Sequence, residues 1–377
     1  RQGRYDKNGK GGKLRDFIPQ IQPWIDESEL VQLKRVVDST YVTEHTLTAE
    51  FEGMIRDLTG STHAIAMTNG TVALFCCLKA LGIGEGDEVI VPNMTFIASS
   101  NAVIMTGAKP VFCEIKPTNF CIDEDKVAEL ITEDTRAIMP VHLYGQSCDM
   151  HAMERLAREY DIKVVEDAAQ GVGVKFDGKH VGTFGDMGIL SFYGNKTITC
   201  GEGGVVLTDS DKLKEECYKL KNHGRLTKGT FIHEDIGYNF CFTEMQAAIG
   251  ISQMNKLSKI IERKKNIYDL YHRRLSPVQE TLRPVYTDPR CSPVWWFTSF
   301  LTTDKSELKS FLLDKGVQTR DFFYPLDAQP CYSKDSRLPV TEKVFNEGIS
   351  LPSSYIMTDE EQNYVIDSIL DFYGGAA

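Results

Sequence analysis

From Asn69 to Thr208 short apolar runs alternate with stretches of helical pattern, and this alternation limits the fold more than any other feature of the chain. An apolar helix follows Asn69-Gly70 (TVALFCCLKALG). A strand is expected at Glu88–Val91, a helix near Ile97–Met105 and a strand at Pro110–Glu114. A helix at Asp123–Ile131 precedes a strand at Ala137–Val141, and a helix at Asp149–Tyr160 precedes a strand at Lys163–Glu166. Further strand-like runs are Gly188–Tyr193 and Gly204–Thr208. Strands separated by helical stretches imply crossover units and a mainly parallel sheet covered on both faces.

Outside this region, an amphipathic helix is expected at Glu27–Asp38, and the helical stretch Thr243–Leu275 leaves the sheet layer. After Pro277 the pattern changes to short strands, two helices and several prolines. The 377 residues suit about two domains. The expected division is a flexible arm over residues 1–16, a large α/β domain over 17–255 and a smaller C-terminal α+β domain over 256–377.

Charge and cysteine content exclude some classes. Lys and Arg number 42 against 53 Asp and Glu, a net charge of −11. That balance argues against a sequence-independent grip on nucleic acid, which rests on cations meeting phosphates. It leaves room for one local phosphate site. No apolar run reaches the roughly 18 residues of a membrane-spanning helix, and no signal peptide pattern opens the chain. The chain starts without methionine and reads as trimmed there. Ten scattered cysteines, including the pair Cys76-Cys77, with no C-x-x-C, point to a reducing compartment and hence the cytoplasm. The histidines form no metal pattern; His233-Glu234 lacks the second histidine of a zinc-protease helix. No metal is expected. The glycines of GIGEGDE (82–88) do not make G-x-G-x-x-G and follow a helix rather than a strand, which disfavours a dinucleotide-binding oxidoreductase.

Ligands of such sheets bind beyond the carboxyl ends of the strands, and four polar groups fall there. Met67-Thr68-Asn69-Gly70-Thr71 opens a helix, where N–H groups and the helix dipole favour an anion. Taken alone it reads more simply as an N-cap with a turn glycine. Asp167 and Gln170 follow Val164-Val165-Glu166; a carboxylate there could face a cationic ring nitrogen or make a structural ion pair. Ser191-Phe192-Tyr193-Gly194-Asn195-Lys196 ends in a lysine before a glycine-dense turn. Desolvation would make that amine nucleophilic, although a lone lysine is usually a surface residue. Phe96 follows a strand and could stack on a flat ring or pack in the core. Together the four supply what pyridoxal phosphate needs: an anion site, a ring platform, a partner for the ring nitrogen and an imine-forming lysine.

The motifs TNGTVAL, PNMTFIASSN, MPVHLYGQSCDM, VVEDAAQGVG, GTFGDMGILSFYGNKTITCGEGGVV and GYNFCFTEMQAAIG resemble those of the DegT/DnrJ/EryC1/StrS sugar aminotransferases, from about Phe17 to the C-terminus. HLYGQ-CDM and GNK-T-GEGG resemble the GDP-perosamine synthase branch in particular. The resemblance implies the type I (aspartate aminotransferase-like) PLP-dependent transferase fold, with a mainly parallel seven-stranded sheet in the large domain. It matches Lys196 to the lysine that bonds the cofactor aldehyde, Asp167 to the carboxylate facing the pyridinium, and Gln170 to a residue near the ring hydroxyl. Phe96 matches the stacking aromatic. Asn69, Gly70, Thr71 and Ser191 match the phosphate cradle, and Asn239 an asparagine that reaches the phosphate from the neighbouring subunit. A homodimer with shared active sites is therefore implied.

The implied activity is amino transfer from L-glutamate to C4 of a nucleotide-linked 4-keto-6-deoxyhexose. GDP-4-keto-6-deoxymannose giving GDP-perosamine is the first expectation, and a dTDP- or UDP-linked sugar the alternative. A non-catalytic regulator is the remote alternative. Lys196 favours amino transfer over the related dehydration, in which the family has histidine at that place. Two departures stand out. Cys241 occupies the usual arginine of the GYN motif. In Arg320-Asp321-Phe322-Phe323-Tyr324-Pro325-Leu326-Asp327 the family more often has proline at 321 and histidine at 327. Trp295, Trp296 and Tyr324 are guesses for the sugar-nucleotide pocket.

Overall fold

A computed structural model describes residues 15–227, 229, 231–332 and 338–374. Helices α1 (Glu27–Ser39) and α2 (Thr46–Thr59) precede strand β1 (His63–Met67). Helix α3 (Gly70–Ala80), β2 (Glu88–Pro92), α4 (Ala98–Thr106), β3 (Lys109–Cys113), α5 (Glu124–Leu130), β4 (Thr135–Ile138), α6 (Met150–Tyr160) and β5 (Lys163–Asp167) follow in strict alternation. A hairpin, β6 (Lys175–Phe176) and β7 (Lys179–His180), leads to β8 (Met187–Ser191), β9 (Gly204–Thr208), α7 (Asp211–Lys221) and the long α8 (Glu244–Arg274). The rest comprises β10 (Arg283–Pro284), β11 (Cys291–Ser292), β12 (Thr298–Leu301), α9 (Lys305–Asp314), β13 (Arg320–Asp321), α10 (Pro339–Glu347), β14 (Gly348–Leu351) and α11 (Asp359–Gly374).

Seven strands form one sheet in the order β1-β9-β8-β5-β4-β2-β3. All neighbours are parallel except that β9 runs antiparallel to both β1 and β8. The fold is thus the expected α/β type with a mainly parallel sheet. Both faces of the sheet are buried: Ile90, Val164, Leu190 and Val205 belong to one apolar cluster, and Val89, Val91, Val165 and Ile189 to another. That is why these strands read as continuous apolar runs instead of alternating ones. Helix starts are set locally. Asp26 and Thr243 make capping boxes, and Asn69, Asp123, Asp149 and Ser210 cap with single side-chain bonds.

Beyond the sheet, β10-β12-β14-β13 form an antiparallel sheet. Leu308 and Leu312 of α9, Val365, Ile366 and Ile369 of α11, and Ile267 and Tyr271 of α8 share its core. Position 255, the expected domain boundary, lies within unbroken α8. Of the expected arm, residues 1–14 lie outside the described residues. Arg15 is tied down by Glu361 and by Gln22 Oε1 (2.7 Å). The ten cysteines are free. Among the described residues no helix is long and apolar enough to cross a membrane.

Candidate active site

Because β1, β2, β4, β5 and β8 are mutually parallel, their carboxyl ends open on one edge of the sheet. The segments leaving that edge carry Asn69, Phe96, Tyr144, Asp167 and Lys196. Antiparallel β9 brings its first residue, Gly204, to the same edge, paired with Met67 and Ser191. A Cβ on Gly204 would sit 2.4 Å from the Asn69 carbonyl oxygen, and one on Gly70 would meet Ser191 Oγ at 3.2 Å. These glycines let the start of α3 approach β8 and β9 closely. Asn69 Oδ1 accepts from the Val72 N–H (3.1 Å), and its carbonyl accepts from Ala73 (3.2 Å). No acceptor among the described residues meets the N–H groups of Gly70 and Thr71, and the Ser191 hydroxyl also has no partner there. Two unpaired N–H groups and a hydroxyl at a helix N-terminus suit a phosphate.

Asp167 ends β5 and is buried. Its Oδ2 accepts from Ser99 Oγ (2.7 Å) and its Oδ1 from the Ala169 N–H (3.0 Å). Each oxygen retains acceptor capacity for a cationic N–H. Next to it, Glu166 is fully buried. Burial alone would raise its pKa, but His142, 2.9 Å away, and the amides of Gly185 and Gly182 hold it below the usual carboxylate value. Gln170 is buried, and its Oε1 accepts from the Tyr144 N–H (2.6 Å).

Lys196 lies in the turn after β8, its N–H donating to the Tyr193 carbonyl (2.9 Å). No hydrogen-bond acceptor meets its amine among the described residues. The Nζ sits 4.4 Å from the centroid of the Trp296 ring. Burial, opposed by Asp167 and reinforced by the Arg320 guanidinium, lowers its pKa to about 8. Around this amine, Trp296 stacks on Phe297 at 3.9 Å, and Tyr144 stacks on Phe323 at 5.6 Å. Arg320 lies over the Phe297 ring at 5.3 Å, and no carboxylate pairs with it among the described residues.

The structure therefore gathers Asn69, Gly70, Thr71, Ser191, Asp167, Gln170 and Lys196 at one edge. Phe96 leaves the same edge, is 54% exposed as a residue and has its ring centroid 6.1 Å from that of Phe323. Asn239 is also exposed, and no side-chain partner for it is found in its own chain among the described residues. The three guesses for the sugar-nucleotide pocket have different neighbours. Trp295 is stacked on Tyr268 (3.7 Å), and Tyr324 packs edge-on to Phe345 (5.2 Å). Trp296, not Trp295, lies under the amine. Ser99, Tyr144 and Gly204 were not singled out by sequence reasoning. Ser99 sits one helical turn after Phe96 in PNMTFIASSN, a spacing that could have flagged it.

A model of the DegT/DnrJ/EryC1/StrS aminotransferase family matches residues 23–370. The chain belongs to that family. It is similar to the GDP-perosamine synthase of Escherichia coli O157:H7, 38% identical over 363 residues that cover 95% of this chain and 99% of the relative. It is also similar to the GDP-perosamine synthase of Vibrio cholerae, 34% identical over 366 residues that cover 95% and 99%. Among solved structures, NtdA of Bacillus subtilis with bound cofactor PMP superposes with a TM-score of 0.85 at 31% identity, covering 91% of this chain and 81% of that one. The protein is an aminotransferase of the type I fold and its cofactor is pyridoxal phosphate. The residues present suit it: an anion cradle at α3, a strand-end carboxylate with free acceptor capacity, and a partly desolvated amine that meets no hydrogen-bond acceptor among the described residues.

Proposed function

We propose that this enzyme moves an amino group from L-glutamate to C4 of GDP-4-keto-6-deoxymannose, yielding 2-oxoglutarate and GDP-perosamine. The observation that carries the amino-transfer chemistry is the solitary Lys196 amine, desolvated to a pKa of about 8 in the same cleft as the Asp167 carboxylate. The choice of sugar is supported by the two GDP-perosamine synthases that align over nearly the whole chain.

In this reading the Gly70 and Thr71 amides and the Ser191 hydroxyl hold the cofactor phosphate. Asp167, oriented by Ser99 and Ala169, keeps the ring nitrogen protonated. Gln170, oriented by Tyr144, faces the ring hydroxyl, and Phe96 covers one face. Pyridoxal phosphate, when bound, supplies an aldehyde that condenses with amines and a ring that disperses the negative charge left by a departing proton. Lys196 would hold that aldehyde between turnovers, and its free amine would take the proton from Cα of glutamate and, in the second half-reaction, deliver one to C4 of the sugar. Arg320, unpaired beside this cleft, is available to a substrate anion.

Asn239 contributes to the site of a second copy in this proposal. Support comes from its exposure beside Phe231, Ile232 and Ile236, which are 87%, 80% and 84% exposed. An apolar run open to this degree suits a surface that another chain covers.

The test is a side-by-side assay with GDP-, dTDP- and UDP-linked 4-keto-6-deoxy sugars and glutamate. The GDP sugar should be aminated at C4 with at least about tenfold higher kcat/KM, a difference of roughly 1.4 kcal/mol. Preference for a dTDP or UDP sugar would overturn the sugar assignment and leave the transaminase chemistry standing.

A further inference from the structure

Lys264 lies on α8 and is only 1% exposed, yet no carboxylate among the described residues pairs with it. Its amine, whose pKa burial lowers to about 7, donates to the carbonyl oxygens of Trp296 (2.7 Å) and Ser353 (2.9 Å) and has the Tyr355 ring centroid 5.5 Å away. Burying an amine is costly unless its donors are satisfied. An apolar side chain of similar length would fill the same space without that cost. What the amine adds is a fixed position for two main-chain carbonyls.

One of those carbonyls belongs to the residue that backs Lys196. The Trp296 indole Nε1 donates to the Asn195 carbonyl (2.7 Å), immediately before Lys196, and its ring lies 4.4 Å from the Lys196 amine. A continuous path of contacts thus runs from α8 through the Trp296 main chain and ring to the amine. We propose that Lys264 is a positioning residue for Lys196: by holding the Trp296 carbonyl it keeps the indole seated against Asn195 and Lys196, and so limits the access of water to the half-buried amine. The proposal rests on the reading of Lys196 as the reactive amine.

The test follows the titration of Lys196 in the cofactor-free full-length chain, by competitive labelling with acetic anhydride from neutral to alkaline pH and peptide mass spectrometry. The charged groups facing this amine are Asp167 and Arg320, and both stay unaltered. In the wild-type chain the value expected for Lys196, lowered by burial, is about 8. Lys264→Met, verified as folded by its melting curve, should raise this value by about one pH unit, because burial is the largest cause of the depression and more water would reach the amine. Trp296→Phe should raise it likewise; loss of indole contact to the cation works in the opposite direction but is the smaller effect. The double variant should move no further than Trp296→Phe alone, since the path runs through that ring.

An unmoved Lys196 in folded Lys264→Met, or additive shifts in the double variant, would overturn the proposal. If Lys264→Met does not fold, Trp296→Phe decides, and an unmoved Lys196 there overturns it. Borohydride reduction of the wild-type holoenzyme separately tests the parent reading. Cofactor bonded at a lysine other than 196 sinks that reading, whatever the labelling shows.

Discussion

The Lys196 amine is useful because its surroundings limit its hydration. A surface lysine near its ordinary value of about 10.4 is almost entirely protonated at neutral pH and cannot attack an aldehyde. Lowered to about 8, a substantial minority of the amine is neutral. The sign of the pH dependence follows. Below about 8 the neutral fraction falls roughly tenfold per pH unit, so the rate at which the cofactor-free chain captures pyridoxal phosphate should fall with it and level off above. Stopped-flow absorbance across that range checks this, and a flat profile would contradict it. Lys196→Ala should lose about 10³-fold or more of the turnover together with the absorbance of the lysine-bound cofactor. Full transaminase activity in that variant would end the assignment of the amine.

Between residues and fold stand the contacts that hold the edge of the sheet in place. Glu166, at the end of β5, binds the amides of Gly182, Phe184 and Gly185 and pairs with His142. Its folded-state pKa lies below the ordinary carboxylate value. The stability it contributes is therefore present above the ordinary carboxylate pKa and is lost as pH falls through the lowered folded one. Glu166→Gln should cost about 3 kcal/mol, read as a lower urea midpoint, with the loss shrinking toward acid pH. A second contact joins the loop after β4 to the segment before β12. Gly145, at φ 83°, lies so close to this segment that a Cβ would fall 1.7 Å from the Val294 oxygen. Gly145→Ala should destabilise by about 2 kcal/mol or more and weaken cofactor retention, because Trp296 must move with Val294. Urea unfolding and a cofactor-release assay report the two effects. Unchanged values in both would mean that the loop yields at little cost.

For the whole molecule, the proposed sharing of Asn239 between subunits has a consequence that no single chain can show. Lys196→Ala and Asn239→Ala each inactivate in this reading. Co-expressed in equal amounts, they form mixed dimers in which one of the two sites has both residues intact. About one quarter of the wild-type activity should return, for statistical assembly of a twofold dimer. No recovery from a verified mixed dimer would show that Asn239 serves its own subunit's site or none.

Most of the sheet was legible because strands buried on both faces must be apolar throughout, and Val89–Val91, Val164–Val165 and Val205–Leu207 are. The strand His63–Met67 and the helices Thr46–Thr59 and Asp211–Lys221 were not anticipated; β1 closes the sheet only by pairing with β9, more than a hundred residues later in the chain. The order of Asn69, Phe96, Asp167 and Lys196 along the chain sufficed to suggest a cofactor, since parallel strands deliver their ends to one edge. Which aromatic meets the lysine could not be read there. Trp295 and Trp296 are neighbours of equal composition, and only the seating of their segment against Gly145 and Lys264 turns one toward Tyr268 and the other toward Lys196. The sequence by itself determined the chemistry available, because amine, carboxylate and glycine are fixed by residue type. Tertiary structure alone decided the amine's pKa and its neighbours, because desolvation depends on atoms brought together from distant parts of the chain.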